Sequence, residues 1–183
     1  MAYTIISSSL NKGEDTMDTF FEYLVKRKKN SKDFAIAVLL ILAALILIFA
    51  ASYVAFTPLG MFSFPLQILI IYLAYRFISA RNVEFEYCVT NGDLDVDKIT
   101  NRQKRTRVAT VESKNIISMA PVGSDKLAPL GNREVTDVTS GAPDKKVYCI
   151  LYGDGTGKAL LFEPTEAMVL EMQRRNPRNI FVD

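Results

Sequence analysis

The sequence predicts an α+β membrane protein, in which a hairpin of two transmembrane helices carries an antiparallel β-sandwich or partly open barrel closed by a C-terminal helix. Three observations support this prediction: a long uncharged apolar run at 34–56, a second apolar run at 61–80, and an alternation of polar and apolar residues that begins at residue 84. Long apolar runs are typical of membrane spans, whereas a period of two is typical of half-buried strands.

The segment before the first apolar run divides into two parts. Residues 1–16 carry serines, glycine and charge without a period, so we expect them to be disordered, and Met17 is an alternative start of the chain. Residues 17–33 are predicted to form an amphipathic basic helix, because apolar side chains share one side and the bases follow the acids. This helix could lie in the lipid interface, or it could be a solvated helix that precedes the first span.

The region 34–82 is predicted to be the transmembrane hairpin. Residues 34–56 contain no charged side chain, and at about 1.5 Å per residue they extend roughly 34 Å, enough to cross a hydrocarbon core of about 30 Å. Residues 57–60 include a proline and a glycine that break the helix, and 61–80 is again apolar. The rest of the chain is too small to bury a soluble helix of this length.

Basic residues predict the orientation of the hairpin. Lysine and arginine flank its entry and its exit, whereas the turn at 57–64 has none. The positive-inside rule then places the N- and C-termini in the cytoplasm and makes the protein a multi-pass protein of the cell (plasma) membrane. Two spans without a polar pathway indicate an anchor.

Residues 83–183 are predicted to form the cytoplasmic β domain. Asn91-Gly92 is a strong hairpin signal between strands at 84–90 and from 93 onward. Further strands are predicted at 104–112, 115–120, 135–138, 147–152 and 159–162, with a loop of five residues at 153–157. Pro164 suits the first turn of a final amphipathic helix.

Three stretches carry a resemblance to a known fold. They are EYCVTNGDLDVDKI, KNIISMAPV and VYCILYGDGTGKALLFEP, the last of which precedes the final helix. Together they resemble a bacterial pleckstrin-homology-like (PH-like) domain. From about residue 17 to 183 the chain also resembles an uncharacterised family of short bacterial membrane proteins with a lysine-rich start and two spans. The resemblance implies a fold rather than an activity.

The sequence offers no catalytic or metal-binding constellation. There is no histidine, and two cysteines, Cys88 and Cys149, could form a disulfide, although a cytoplasmic placement favours free thiols. Asp93, Asp95 and Asp97 lack the glycine and glutamate that a calcium loop requires. The remaining acids lie beside turns or on polar faces, so we expect no enzyme activity, no metal and no cofactor.

Two basic clusters are the candidate binding residues. The set proposed to contact anionic lipid is Lys26, Arg27, Lys28, Lys29, Arg102, Lys104, Arg105 and Arg107. For the second cluster, a solvated edge strand is the alternative explanation. No aromatic residue interleaves with the basic ones, so nucleic acid is not an expected partner. We expect the lipid bilayer as one partner, together with a protein partner or self-association through exposed sheet edges.

Overall fold

The computed structural model describes residues 19–127, 131–153 and 157–182 and divides the chain into two compact units. The segment 1–16, the start at Met17 and residues 154–156 of the predicted loop lie outside the described residues. The helical unit contains Lys28–Val83 and Thr100–Arg102, and the β unit contains the rest. The predicted fold class, an α+β chain with two apolar helices, antiparallel sheets and a C-terminal helix, is confirmed.

The helices and strands follow one another along the chain with these bounds: β1 Phe20–Lys26, α1 Ser31–Val54, α2 Ser63–Ser79, β2 Val83–Thr90, β3 Asp93–Thr100, β4 Lys104–Val111, β5 Ile116–Pro121, β6 Glu134–Asp137, β7 Tyr148–Tyr152, β8 Lys158–Phe162 and α3 Glu166–Arg175. The predicted spans at 34–56 and 61–80 correspond in position to α1 and α2. Short 3₁₀ turns occupy Gly60–Phe62 and Ser113–Asn115.

The helical unit is a hairpin of α1 and α2 whose apolar side chains face outward. Asn30 precedes α1, and its backbone N–H donates to Asp33 Oδ2 at 3.1 Å, which satisfies a group at the start of the helix. Ala51 is the buried residue of α1, and α2 has none. Two helical segments, Ser31–Val54 and Gly60–Ser79, are long and apolar enough to cross a membrane. Both are exposed, whereas a core helix of a soluble protein would be mostly buried.

Residues 20–26 are a strand, so the predicted helix at 17–33 is wrong. The strand β1 pairs antiparallel with β2, with Tyr23 opposite Tyr87 and Lys26 opposite Glu84. Aromatic and β-branched residues favour strands, and pairing with β2 outweighs the helical spacing of the apolar residues. The β unit therefore begins before the hairpin, and the predicted domain at 83–183 omits its first strand.

Two four-stranded sheets form the β unit, with orders β1-β2-β3-β4 and β5-β7-β8-β6. The pair β6 and β8 is parallel, which departs from the otherwise antiparallel prediction. Fully buried side chains from both sheets and from α3 form the core: Tyr87, Leu94, Met119, Ile150, Phe162 and Met172. The helix α3 begins at Glu166 after the N-cap Thr165, so Pro164 precedes the first turn and does not lie within it.

Candidate functional site

The first predicted basic cluster lies between β1 and α1. Lys26 ends β1, and its Nζ lies 3.8 Å from Oε1 of the buried Glu84. Arg27, Lys28 and Lys29 follow in the connection to α1 and are all exposed. Within the described residues these three make no ion pair, so three of the four cations in this cluster remain available to an anionic ligand.

The second predicted basic cluster is largely neutralised by neighbouring acids. Arg105 Nη2 lies 2.7 Å from Glu86 Oε2, and Arg107 Nη1 lies 2.6 Å from Asp95 Oδ1. Arg107 also donates from Nε to Asp97. The strand β4 lies at an edge of the first sheet, as the edge-strand explanation expected, and its arginines form ion pairs with acids of β2 and β3. Contact of these arginines with anionic lipid stays a prediction.

The other two members of that cluster differ from the paired arginines. Lys104 is exposed at the start of β4 and makes no ion pair within the described part of the chain. Arg102 lies in the turn between β3 and β4 with a φ of +55°. Arg102 groups with the helical unit, whereas Lys104 groups with the β unit. The structure thus places the eight predicted residues in two separate units.

The outer face of the first sheet carries the acids that hold these arginines. Glu86, Asp95 and Asp97 face the same side because alternate residues of adjacent strands share a face. Burial raises the pKa of Glu86 to about 7, and so does the hydrogen bond that the protonated Glu86 donates to Glu22, although Arg105 acts in the opposite direction. The side chain of Glu86 is only 6% exposed, although its neighbours on this face are polar.

Other buried carboxylates also have structural partners. Glu163 Oε1 accepts hydrogen bonds from the N–H and the hydroxyl of Ser140 at 3.0 and 2.9 Å. Glu171 Oε1 lies 3.2 Å from Arg175 Nε. No cluster of three metal-ligating side chains occurs among the described residues. These acids stabilise loops and the end of α3.

A polar cleft of about 490 Å³ lies beside the β2–β3 turn. Its lining residues are Asn91, Ser113, Lys114, Arg175, Asn176 and Asn179. Their donors are already engaged: Asn176 donates to the carbonyl of Ser113 at 2.8 Å, Asn179 donates to the carbonyl of Ile116 at 2.9 Å, and Lys114 lies 2.9 Å from Glu112. We therefore interpret this cleft as the structural junction of α3 with the first sheet.

The outer edge of β1 is the candidate interaction surface. Within the described residues no strand pairs with β1 on the side opposite β2. Residues 20–24 are partly exposed, including two phenylalanines, a tyrosine and a leucine. An edge strand that combines free backbone groups with apolar side chains is a template for strand addition.

The other three sheet edges are protected. The edge of β5 is covered by the C-terminal tail, since Met119 N–H donates to the Asn179 carbonyl at 2.7 Å and Phe181 N–H donates to the Met119 carbonyl at 2.8 Å. The strand β6 is four residues long and acidic at both ends. The strand β4 carries three basic residues near its start. Short or charged edges oppose edge-to-edge association, so β1 is the open edge in the part of the chain that the structure describes.

Sequence reasoning missed this surface because it predicted a helix there. The signal that could have identified it is the composition of FFEYLVK, in which aromatic and β-branched residues dominate. The hydrogen bond between Glu22 and Glu86 was missed for the same reason, because residue 22 was predicted to lie on a helix.

The chain thus combines a two-sheet β unit and a C-terminal helix with a helical hairpin that connects the first two strands. The family model described as Bacterial PH-like domain (DUF6106) matches residues 17–182. The chain therefore belongs to this bacterial PH-like family, whose function is not known, and the predicted resemblance is confirmed. No curated protein and no solved structure matches the chain significantly.

Proposed function

We propose that this protein is a non-enzymatic interaction module that is anchored at the cytoplasmic face of the cell membrane and associates through the edge of β1. The observation that carries the proposal is the open edge at Phe20–Lys26, beside three protected edges. An uncovered apolar edge is an aggregation hazard for a protein that has no use for it. Its retention supports a role in binding.

The anchoring part of the proposal rests on α1 and α2. Both helices are long and apolar enough to span a bilayer. Basic residues at their flanks, and none in the turn between them, support a cytoplasmic β unit. Residues 27–30 and 80–82 are short connections between the hairpin and the strands β1 and β2. Confinement to a surface raises the effective concentration of binding partners.

A second copy of this chain is the partner that the strand favours. When two β1 strands pair antiparallel about a two-fold axis with Leu24 opposite Leu24, Glu22 of each copy faces Lys26 of the other. A closed dimer of this kind uses the same surface twice. Opposite charges directly across a strand pair contribute roughly 0.2–1 kcal/mol each, whereas like charges destabilise the pair.

Disulfide crosslinking in native membranes tests the pairing. In a background in which Cys88→Ser and Cys149→Ala remove the two native thiols, Leu24→Cys should give an oxidised dimer. Directly opposed Cα atoms of an antiparallel pair are about 4.5–5.5 Å apart, which is within the range that a disulfide spans. Thr106→Cys on the exposed part of β4 is the matched control and should remain monomeric. Crosslinking of Leu24→Cys to a different protein would support binding through β1 and would identify that protein, and not a second copy of this chain, as the partner. Exclusive recovery of monomer under efficient oxidation would overturn the proposal.

Charge reversal gives an independent measurement of the register. Glu22→Lys or Lys26→Glu alone should reduce the dimer yield, because each places like charges across the pair. The double exchange should restore the yield. A double variant that crosslinks no better than either single variant would contradict the proposed register.

Lipid sensing is the second candidate function. It is favoured by the exposed Arg27, Lys28 and Lys29, which lie directly before an apolar helix. Hydrogen exchange of the full chain in nanodiscs should then show slower exchange at 26–29 in anionic than in zwitterionic lipid, and the difference should shrink at high salt. Equal exchange in the two lipids would eliminate this function.

A further inference from the structure

A second cleft lies wholly within the helical unit, at the end of the hairpin where α1 begins and α2 ends. Its volume is about 460 Å³. Eight residues line it: Lys29, Asn30, Ser31, Asp33, Phe34, Ala37, Ile78 and Arg81. One wall is polar and charged, and the other is apolar, so the cleft is amphipathic.

The apolar wall is formed by side chains one and two turns into the helices. Phe34 is 73% exposed and Ala37 is partly exposed on α1, while Ile78 is partly exposed on α2. Because alanine is small, position 37 leaves a groove that a larger residue would fill.

The polar wall carries an excess of positive charge. Arg81 Nη2 pairs with Asp33 Oδ1, and the same aspartate accepts a hydrogen bond from the Asn30 N–H. Lys29 is exposed and makes no ion pair within the described residues. Two cations against one carboxylate leave a net charge of about +1 at the cleft, which suits one phosphate group.

We infer that this cleft binds one anionic glycerophospholipid. Its phosphate would contact Lys29 and Arg81, and one acyl chain would lie along Phe34, Ala37 and Ile78. A free phosphate ion would use the charged wall alone, whereas a lipid uses both walls. The inference rests on the membrane anchoring in the proposed function, and it is independent of strand pairing by β1.

A single tryptophan reports lipid at this position, because the natural sequence contains none. Phe34→Trp places the reporter in the cleft. Ile36→Trp is the matched control, since residue 36 lies on the same helix at a similar depth but does not line the cleft. Quenching by brominated phosphatidylglycerol is compared with quenching by brominated phosphatidylcholine in reconstituted full-length protein.

At Phe34→Trp the anionic lipid should bind about fivefold more strongly than the zwitterionic lipid, as expected for one added cation near a headgroup. At Ile36→Trp the ratio should be near one. Lys29→Gln should reduce the preference at the cleft reporter, and Lys28→Gln, whose side chain does not line the cleft, should preserve more of it. Ala37→Leu should reduce quenching by both lipids at Phe34→Trp, whereas Ala35→Leu should not.

An equal anionic preference at both reporters would overturn the inference, because it would reflect the general charge of the membrane. Displacement of the bound lipid by millimolar inorganic phosphate would also overturn it, in favour of a soluble anion. Absence of quenching by every lipid at both reporters would refute the membrane anchoring itself. That failure is therefore distinguishable from failure of the cleft alone.

Discussion

The hydroxyl of Tyr87 joins the first sheet to loops of the second, and its removal should measurably destabilise the β unit. The side chain is fully buried. Its hydroxyl donates to the Val138 carbonyl at 2.6 Å and accepts from the Glu163 N–H at 3.4 Å. Burial raises the pKa of this hydroxyl above its ordinary value, so it remains a neutral donor throughout the physiological range.

Tyr87→Phe keeps the ring, which packs edge-on against Phe162 with ring centroids 5.7 Å apart, and removes only the oxygen. The Val138 carbonyl then loses a short hydrogen bond, while Glu163 N–H loses a long one. An unsatisfied buried polar group costs about 1–3 kcal/mol of stability, and for the Glu163 N–H, whose bond is the longer one, we expect a cost near the lower value. We expect the free energy of unfolding of the β unit to fall by about 2 kcal/mol. This corresponds to roughly 30-fold faster exchange of the amides that exchange only when the β unit unfolds.

Hydrogen exchange with mass spectrometry on the full chain in detergent measures this change. Amides of β2 and β7 should exchange faster in Tyr87→Phe, whereas the helical hairpin should exchange at its original rate. Tyr23→Phe is the matched control, because this neighbouring tyrosine is only partly buried and its hydroxyl makes no hydrogen bond within the described residues. Unchanged exchange in Tyr87→Phe, or an equal effect of both variants, would refute the assigned role of the hydroxyl.

Two further predictions concern the first sheet and its turn. The pKa of Glu86 is raised from 4.5 to about 7 in the folded state, so the folded protein binds this proton more tightly and stability should fall as pH rises between these values. Glu86→Gln should flatten that dependence in denaturation midpoints measured at pH 5 and pH 8, and an unchanged slope would contradict it. Gly92→Ala should destabilise the β unit by about 2–4 kcal/mol, because φ is +90° and a Cβ would lie 2.7 Å from a side-chain carbon of α3. Gly153→Ala, with φ of +95° and open space, should cost only about 1 kcal/mol, and equal midpoints for the two variants would exclude the steric contribution.

Local patterns in the sequence were sufficient for the hairpins and for most strands. The run at 34–56 needs no tertiary information, because its length and lack of charge already specify a helix in an apolar environment. The Asn91-Gly92 turn was predicted from residue type, and both residues adopt positive φ, +53° and +90°. In these cases the physical cause acts within a few residues, so the sequence alone carries the signal.

Non-local pairing limited the rest of the prediction. Residues 20–26 have apolar spacing compatible with a helix, and only the partner β2, more than fifty residues away, selects the strand. The parallel pairing of β6 with β8 likewise follows a long loop that has no pattern of its own. The ion pair of Glu86 likewise requires Arg105 from β4, almost twenty residues further along the chain. None of these contacts leaves a periodic trace in the chain.

The pairing of β1 with β2 constrains how this chain can cross a membrane. Lys26 and Glu84 are opposite each other in the ladder, and the whole helical hairpin lies between them in sequence. Backbone hydrogen bonds cannot join strands on opposite sides of a bilayer, so residues 26 and 84 must lie on one side of any membrane that α1 and α2 cross. An odd number of crossings between them would break the sheet at its first pair. A hairpin of two helices, which makes an even number of crossings, is therefore an insertion that the β unit can accept between two adjacent strands without losing a strand.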